Sequence, residues 1–457
     1  MHHKFPIYSL PMLSGQTYVV TSPALASLIQ RASTTLLFEP IIVPVSSRMA
    51  GFSKATTKIL YDYVDAEGIV RPGFMARMHE CLYSLMGPTE IKYQGRIVLE
   101  RLTSVINALP NTCEKELFEW GRETFTDVTT FAFFGPENPF ALSPSFLKDY
   151  WIWEHDMIGT IASPLPQLTH RRAYLARERM VASFLEYLQK ERHKKASPVI
   201  QERIRIHEEA GVSIQDRARS EWVMNFGLLV NGAITVFWML DYIFAQPQLL
   251  EELRQEIGLG AYQVDRDSNT AIITFKELQS SCPLLNSVFK ESLRLIAPMT
   301  SARFVMKDTV VADTWLLRAN SVVQLAGGVM HEDPTIWGPD ASDFNAYRFI
   351  RSTYGTKTGA TDSDKVTVHP AAWRGFGGGT VYCPGRHFAQ IEILTLVAVL
   401  IMGWDLKPPK GQDSIAHHPP KDWYRIPIGV MKPLRDVKVS MERRKDMESL
   451  NWVLKLD

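Results

Sequence analysis

One of the four cysteines, Cys383, sits in a setting built for chemistry; the other three, Cys81, Cys113 and Cys282, do not. The stretch Phe376–Ala389 reads FGGGTVYCPGRHFA. Gly377, Gly378 and Gly379 precede the cysteine, and Pro384 and Gly385 follow it. Glycine runs occur where a backbone turns tightly or lies close against a flat object. A proline directly after the cysteine fixes its own φ and holds the cysteine extended. The pattern predicts a rigid loop that pushes one sulfur outward and leads into a helix. Phe376 supplies a ring that shields the sulfur from water. A sulfur presented this way can serve as a soft metal ligand. The plainer alternative is a buried structural cysteine, the usual fate of a lone one.

The spacing F-x-x-G-x-x-x-C-x-G, carried by Phe376, Gly379, Cys383 and Gly385, resembles the haem-binding loop of the cytochrome P450 family. The resemblance implies that the Cys383 thiolate is the axial ligand of haem b iron, pushing electron density onto it. Phe376, Gly379 and Gly385 would then line the cofactor. Many members carry an arginine two residues before the cysteine, reaching a haem propionate. Val381 stands there in this chain, so another cation must take that role. The resemblance puts Arg303, in SARFVMKDTVV, on a propionate, and a forked guanidinium suits a carboxylate. The tryptophan–arginine pair that often grips a propionate from the early helices is not found.

Glu291 and Arg294, in FKESLRL, are three residues apart and share a helix face. They match the family's E-x-x-R. Arg348, in FNAYRFI, matches the arginine that completes its Glu-Arg-Arg network. All three are assigned a structural role behind the haem loop. His331 and Asp333, in MHEDPTIWG, match a short family loop, and His331 reads as structural rather than metal-binding.

The family's oxygen-activating run lies on a long helix facing the haem. Here the run is Asn231-Gly232-Ala233-Ile234-Thr235. Thr235 and Asn231 are the expected catalytic side chains. Ile234 occupies the place of the usual acid, and an isoleucine relays no protons. This departure is similar to the steroid 7α/12α-hydroxylase and prostacyclin-synthase branch, which also lacks the acid. Expected pocket residues are Met157, Leu165, Leu229, Ala233, Pro298, Met299, Ile426 and Pro427. The resemblance implies a monooxygenase acting on a hydrophobic, terpenoid- or steroid-like molecule, with O2 and electrons from an NADPH–cytochrome P450 reductase docking near Arg374, Arg386 and Lys290. The acid's absence leaves open a reductase-independent isomerase or lyase that rearranges or dehydrates a peroxide-type substrate. A non-catalytic haem carrier is a third class.

These residues need elements to position them. Helical patterns cover 73–107 with a break at Gly87-Pro88, Leu117–Phe134, Pro144–Ile161, His170–Lys195, 196–218, Ala218–Phe244, Gln246–Ile257 and Thr274–Leu295. Residues 5–22 read as a β-hairpin. Alternation returns from Thr300 and again from Ile426. Residues 353–370 read as a polar loop. The sum is a mainly α fold with small β-sheets, the P450 fold, as one domain over 1–457. Hydrophobic residues make up 46% of the 457 and the net charge is +1, which argues against nucleic-acid binding as the main role; the expected state is a monomer. The four cysteines show no C-x-x-C spacing and no disulfide-like density, which argues for a reducing compartment and against a zinc ribbon. Trp222–Leu240 carries no charge over nearly a bilayer's span, but it reads as a buried core helix. The basic helix His170–Lys195 reads as a solvated face, with peripheral membrane contact as the alternative. No anchor opens the chain. The location expected is the cytoplasmic face of the endoplasmic reticulum membrane if the full-length protein has an anchor, and the cytoplasm otherwise.

Overall fold

The computed structural model describes residues 5–12, 15–65, 69–143, 145–298, 300–351, 368–423 and 429–457. The expected hairpin forms: β1 (Ile7–Met12) pairs antiparallel with β2 (Gly15–Val20). Ser22 then caps α1 (Pro23–Arg31), its hydroxyl accepting the Leu25 N–H, with Pro23 in the first turn, where no N–H is needed. β3 (Leu36–Leu37), β4 (Thr300–Val305) and β5 (Val322–Ala326) complete a sheet in the order β1-β2-β5-β4-β3. β5 lies parallel to β2 and antiparallel to β4. This pairing brings Arg303 from late in the chain to the N-terminal end of the molecule.

The helices that build the site begin and stop where the sequence supplies signals. α2 (Phe74–Leu85) follows Gly73, where a Cβ would strike the Asp62 carbonyl oxygen at 1.6 Å. α3 (Leu117–Phe134) stops at Gly135, whose φ of 79° is left-handed. α4 (Arg171–Gln189) turns Ala176, Met180, Val181 and Phe184 inward and leaves most of its charge in solvent. Ser197 caps α5 (Pro198–Glu209), and Gly211 turns the chain with φ 75°. Ser213 caps α6, which runs Ile214–Phe244 with a π turn at Phe226–Val230. α7 spans Pro283–Ile296 and α8 spans Arg386–Gly403.

Two expected helices are each two. Phe275–Ser281 ends before Pro283, which lacks an N–H and starts α7 afresh. Ser145–His155 and Met157–Ala162 are separated at Asp156, where ψ is 17° and the backbone is no longer helical. The strand Thr112–Glu116 was not expected: TCEKE has no apolar alternation, and only pairing with Lys438–Arg443 makes it a strand. The 353–370 loop lies largely outside the described residues.

α6 and α8 are each long and apolar enough to cross a bilayer. Both are instead mostly enclosed: every residue from Gly232 to Ile243 and from Ile391 to Gly403 is buried. Each large apolar side chain so enclosed contributes about 1.5–3 kcal/mol. Both helices belong to the largest hydrophobic cluster, and α3 touches each of them, α6 at Phe125–Gly232 and α8 at Phe133–Phe388. That arrangement holds the cysteine loop, at the start of α8, against the middle of the molecule.

Candidate active site

The loop 376–385 is held by its own backbone and by α1 and α2. The Cys383 N–H donates to the Phe376 carbonyl at 2.9 Å, closing the loop on itself. Gly377 and Gly379 have φ of 81° and 66°, values that favour glycine. A Cβ on Gly379 would also lie 2.6 Å from the Gln30 Cβ of α1. Tyr83 of α2 donates its hydroxyl proton to the Tyr382 carbonyl. Arg386 lies over the Tyr382 ring and donates to the Cys383 carbonyl at 2.9 Å. Phe376 packs between Phe289 and Trp373. Burial pushes the Cys383 thiol up, opposed by the N–H groups of Gly385 and Arg386 and by the Arg386 charge. Those N–H groups point at sulfur and favour a thiolate once a cation meets it.

Behind the loop, Glu291 is fully buried and takes two bonds from Arg294, Nε at 2.7 Å and Nη2 at 2.8 Å, and one from Arg348 Nε at 3.0 Å. Arg294 also donates to the carbonyls of His331 and Ala341, and Arg348 to that of Trp337. His331 Nε2 accepts the Arg374 N–H at 2.8 Å, so this ring is neutral and ties the network to the loop. Burial, with Arg294 and Arg374 beside it, lowers the His331 pKa to about 3. The structure thus brings Glu291, Arg294 and Arg348 together, and His331 bonds both Arg294 and Arg374.

Among the described residues, two buried cations lack anions. Arg303 is 2% exposed; Nη1 bonds Ser301 and Ala302, but Nη2 has no partner. Arg374 is 1% exposed, and its Nε and Nη2 have none. Burial and the Arg303 charge lower the Arg374 pKa to about 10. Unpaired buried guanidinium groups are expensive. They fit a cofactor carrying two carboxylates beside a cysteine. Arg374 is thus too deeply buried to dock a reductase, contrary to the sequence expectation. Its place beside Trp373 and Gly375 was visible in the sequence, its burial was not. Arg386 and Lys290 are half-buried, and Lys290 sits over the Phe349 ring.

A cavity of about 990 Å³ adjoins the loop at Thr380 and Val381 and includes Arg303 in its wall. One side is α2; the other is Ser220, Val223, Met224 and Gly227 of α6, spaced as one helix face. Asn231 and Thr235 continue along α6. Asn231 Oδ1 accepts the Val430 N–H at 3.1 Å, and the Thr235 hydroxyl donates to the Asn231 carbonyl at 2.7 Å. Their backbone and tail-loop contacts fix both side chains.

Most of the expected pocket residues are elsewhere. Met157, Leu229 and Ala233 are core residues, exposed by 1% or less. Gly232 meets the Phe125 ring of α3, and the Ala233 carbonyl lies close to Gly121, so that face of α6 packs on α3. Leu165 is 49% exposed, ahead of the short helix Pro166–Thr169. Pro298 packs against Gly328. None of these five lines the described cavity wall. Met299, Ile426 and Pro427 lie outside the described residues.

The model of the cytochrome P450 family matches residues 153–432, more than half of the chain. The chain belongs to the cytochrome P450 family. As a P450 it is a haem-iron oxidoreductase of the monooxygenase type. It is 28% identical over 98% of its length, and 85% of the relative's, to the cytochrome P450 monooxygenase nodJ of Hypoxylon pulicicidum. It is 27% identical to a cytochrome P450 monooxygenase of Gibberella zeae over 98% of this chain and 84% of that one. About half of it, 49%, aligns at 26% identity with 44% of cytochrome P450 7A1 of Oryctolagus cuniculus. Among solved structures, the cytochrome P450DA haem domain superposes with a TM-score of 0.68 at 14% identity, covering 97% of this P450 and 91% of that chain. Retinoic acid-bound cyanobacterial CYP120A1 superposes at 0.67 and 17% identity, covering 96% and 92%. These likenesses carry the fold.

Proposed function

We propose that this P450 oxidises a hydrophobic, terpenoid- or steroid-like small molecule of secondary metabolism, using O2 and electrons from an NADPH–cytochrome P450 reductase. The observation that carries the reading is Cys383 on a glycine loop beside Arg303 and Arg374, two buried cations without anions. Cys383 would ligate haem b iron, and Arg303 and Arg374 would hold its propionates. Gly379 and Gly385 keep the loop thin, and Phe376 covers the sulfur. When bound, thiolate-ligated haem supplies the activation of O2. The protein's own part is to exclude water and place the guest. Leu36, Phe74, Met78 and Met224 give the cavity an apolar wall. The fungal relatives, called monooxygenases, support the reaction type. Asn231 and Thr235 are the candidates for holding a proton path: Asn231 Nδ2–H remains to donate, and Thr235 Oγ1 keeps lone pairs to accept.

Ile234 favours a second reading. It is fully buried where the family's acid stands, so no carboxylate moves protons from that position. A reductase-independent isomerase or lyase, rearranging a peroxide-type substrate, needs none. Purified protein given substrate with and without NADPH and reductase separates the two. Product only with reductase supports the monooxygenase; product formed equally without it supports rearrangement. The reading as a whole is tested by the pigment. Purified protein should carry extractable haem and, reduced under CO, give the thiolate signature; colourless protein after haem supplementation overturns it.

A further inference from the structure

The far end of the cavity carries polar groups that the reaction does not need. Tyr83 of α2 touches the cysteine loop, while Phe74, at the helix's other end, meets the His207 ring edge-on at 5.1 Å. Nine residues of helix separate them, about 14 Å along the axis. His207 and Arg203 of α5 and Ser220 of α6 line the cavity there. All three are buried, His207 to 3% and Ser220 to 6% exposure.

Their hydrogen bonds fix what this end can recognise. His207 Nδ1 lies 2.6 Å from the Arg203 carbonyl oxygen. A carbonyl only accepts, so Nδ1 carries the proton and Nε2 presents a lone pair. Burial and the neighbouring Arg203 lower the pKa of this ring to about 3, so it stays neutral. Nε2 has no partner among the described residues. Ser220 Oγ accepts from Arg203 Nη2 at 3.1 Å, which leaves its own proton to give. Arg203 is committed elsewhere: it pairs with the fully buried Glu221 at 3.1 Å. Among the described residues, the cation there, Arg203, is already balanced by Glu221, and a carboxylate would face the Nε2 lone pair. Both residues line the cavity and both bond Arg203; an acceptor and a donor there suit a neutral hydroxyl, which can give its proton to nitrogen and take one from the serine.

We infer that this P450 selects substrates bearing a hydroxyl group at the end remote from the oxidised carbon, held by His207 Nε2 and Ser220 Oγ. The inference deepens the proposed function and rests on it: the substrate is a polycyclic alcohol, and His207 and Ser220 set its register over the haem. A site built to bond a hydroxyl rejects the analogue lacking it, because its own buried groups are left unpaired.

The test uses the haem-loaded protein and a set of tricyclic and tetracyclic terpenoid and sterol alcohols, each paired with its methyl ether and its deoxy analogue. Dissociation constants come from calorimetry and from the haem optical band. Alcohols should bind at least tenfold tighter than their partners. His207→Phe and Ser220→Ala should each cut that ratio to below threefold, with affinity for the deoxy compounds kept. Ser220→Ala leaves the Arg203–Glu221 pair standing, so it reports even if His207→Phe fails to fold. Equal binding within pairs, a ratio unmoved by Ser220→Ala, or binding by none of the alcohols overturns the inference. None of those results touches the haem assignment, which fails separately if the purified protein holds no pigment.

Discussion

A single sulfur and two guanidinium groups make the sharpest residue-scale claims. Cys383→Ser should abolish the thiolate–CO absorption signature while circular dichroism keeps its helical signal; a surviving signature would put the ligand elsewhere. Arg374→Gln removes a charge-assisted bond of about 1.5–3 kcal/mol. Haem transfer from the variant to an apoprotein acceptor should be about tenfold faster or more, and an unchanged rate would free Arg374 from the propionates. Glu392 behaves oppositely. It is buried in α8, Thr129 donates to it at 2.5 Å, and burial holds its carboxyl well above the usual range. Burial thus favours its protonated form, and Glu392→Gln, which keeps the size of the side chain, should shift the thermal midpoint by no more than a few degrees. Cys383 was legible in the sequence because spacing carries it. Arg374 and His207 were not, because an arginine or histidine reveals its burial only through what surrounds it. For His207 a partial signal existed: Ile200, Arg203, Ile204 and His207 fall on one helical stripe, which places the histidine inward.

Elements were read from the same punctuation that builds them. The hairpin and α3 followed from turn residues and apolar periodicity, whereas α7 was read as part of one longer helix from Thr274, although Pro283 marks its start. The pocket did not, because helical spacing gives a face and not the neighbour that face meets. Leu229 and Ala233 had the right composition for a pocket and pack in the core instead. The join between α6 and the tail loop is an element-scale contact with little slack. Gly429 has φ 117°, and a Cβ there would lie 2.3 Å from Asn231 Oδ1. Gly429→Ala should push the loop off α6 and release Asn231. Proteolysis near residue 429 should then quicken, and an unchanged cleavage pattern would show the join to be slack. The Glu291 network joins α7 to the segment carrying Arg348. Glu291→Gln leaves the fully buried Arg294 without its anion, while Arg348 keeps Asp340, at a cost of about 3–5 kcal/mol. Soluble yield should collapse, and a variant with wild-type melting would overturn the structural role.

Across the whole molecule, α6 links the cavity to the C-terminal loops, and its last turn is latched. Asp241, fully buried, accepts from His417 Nδ1 at 2.8 Å and from the His418 ring and N–H. Hydrogen bonds from the two histidines pull the Asp241 pKa down against the burial that pushes it up, and the Asp241 bond raises that of His418. The His418 contribution is full below its ordinary value of 6.5 and fades as pH rises through its higher folded value. The Asp241 contribution is full above 3.8 and fades as pH falls through its lower folded value. The latch is firmest between those two ordinary values. The melting temperature should therefore drop as pH rises from the ordinary value of 6.5 through the raised folded value of His418, and Asp241→Asn should flatten part of that drop; an identical slope in the variant would remove the latch. The π turn at Phe226–Val230 reaches furthest. It sets the two halves of α6 out of phase, one facing the void and the other the interior. Excising a single residue there would turn the first half by about 100° and carry Ser220, Val223 and Met224 away from the guest. Altering which molecules this scaffold admits could thus take one lost codon rather than many altered ones.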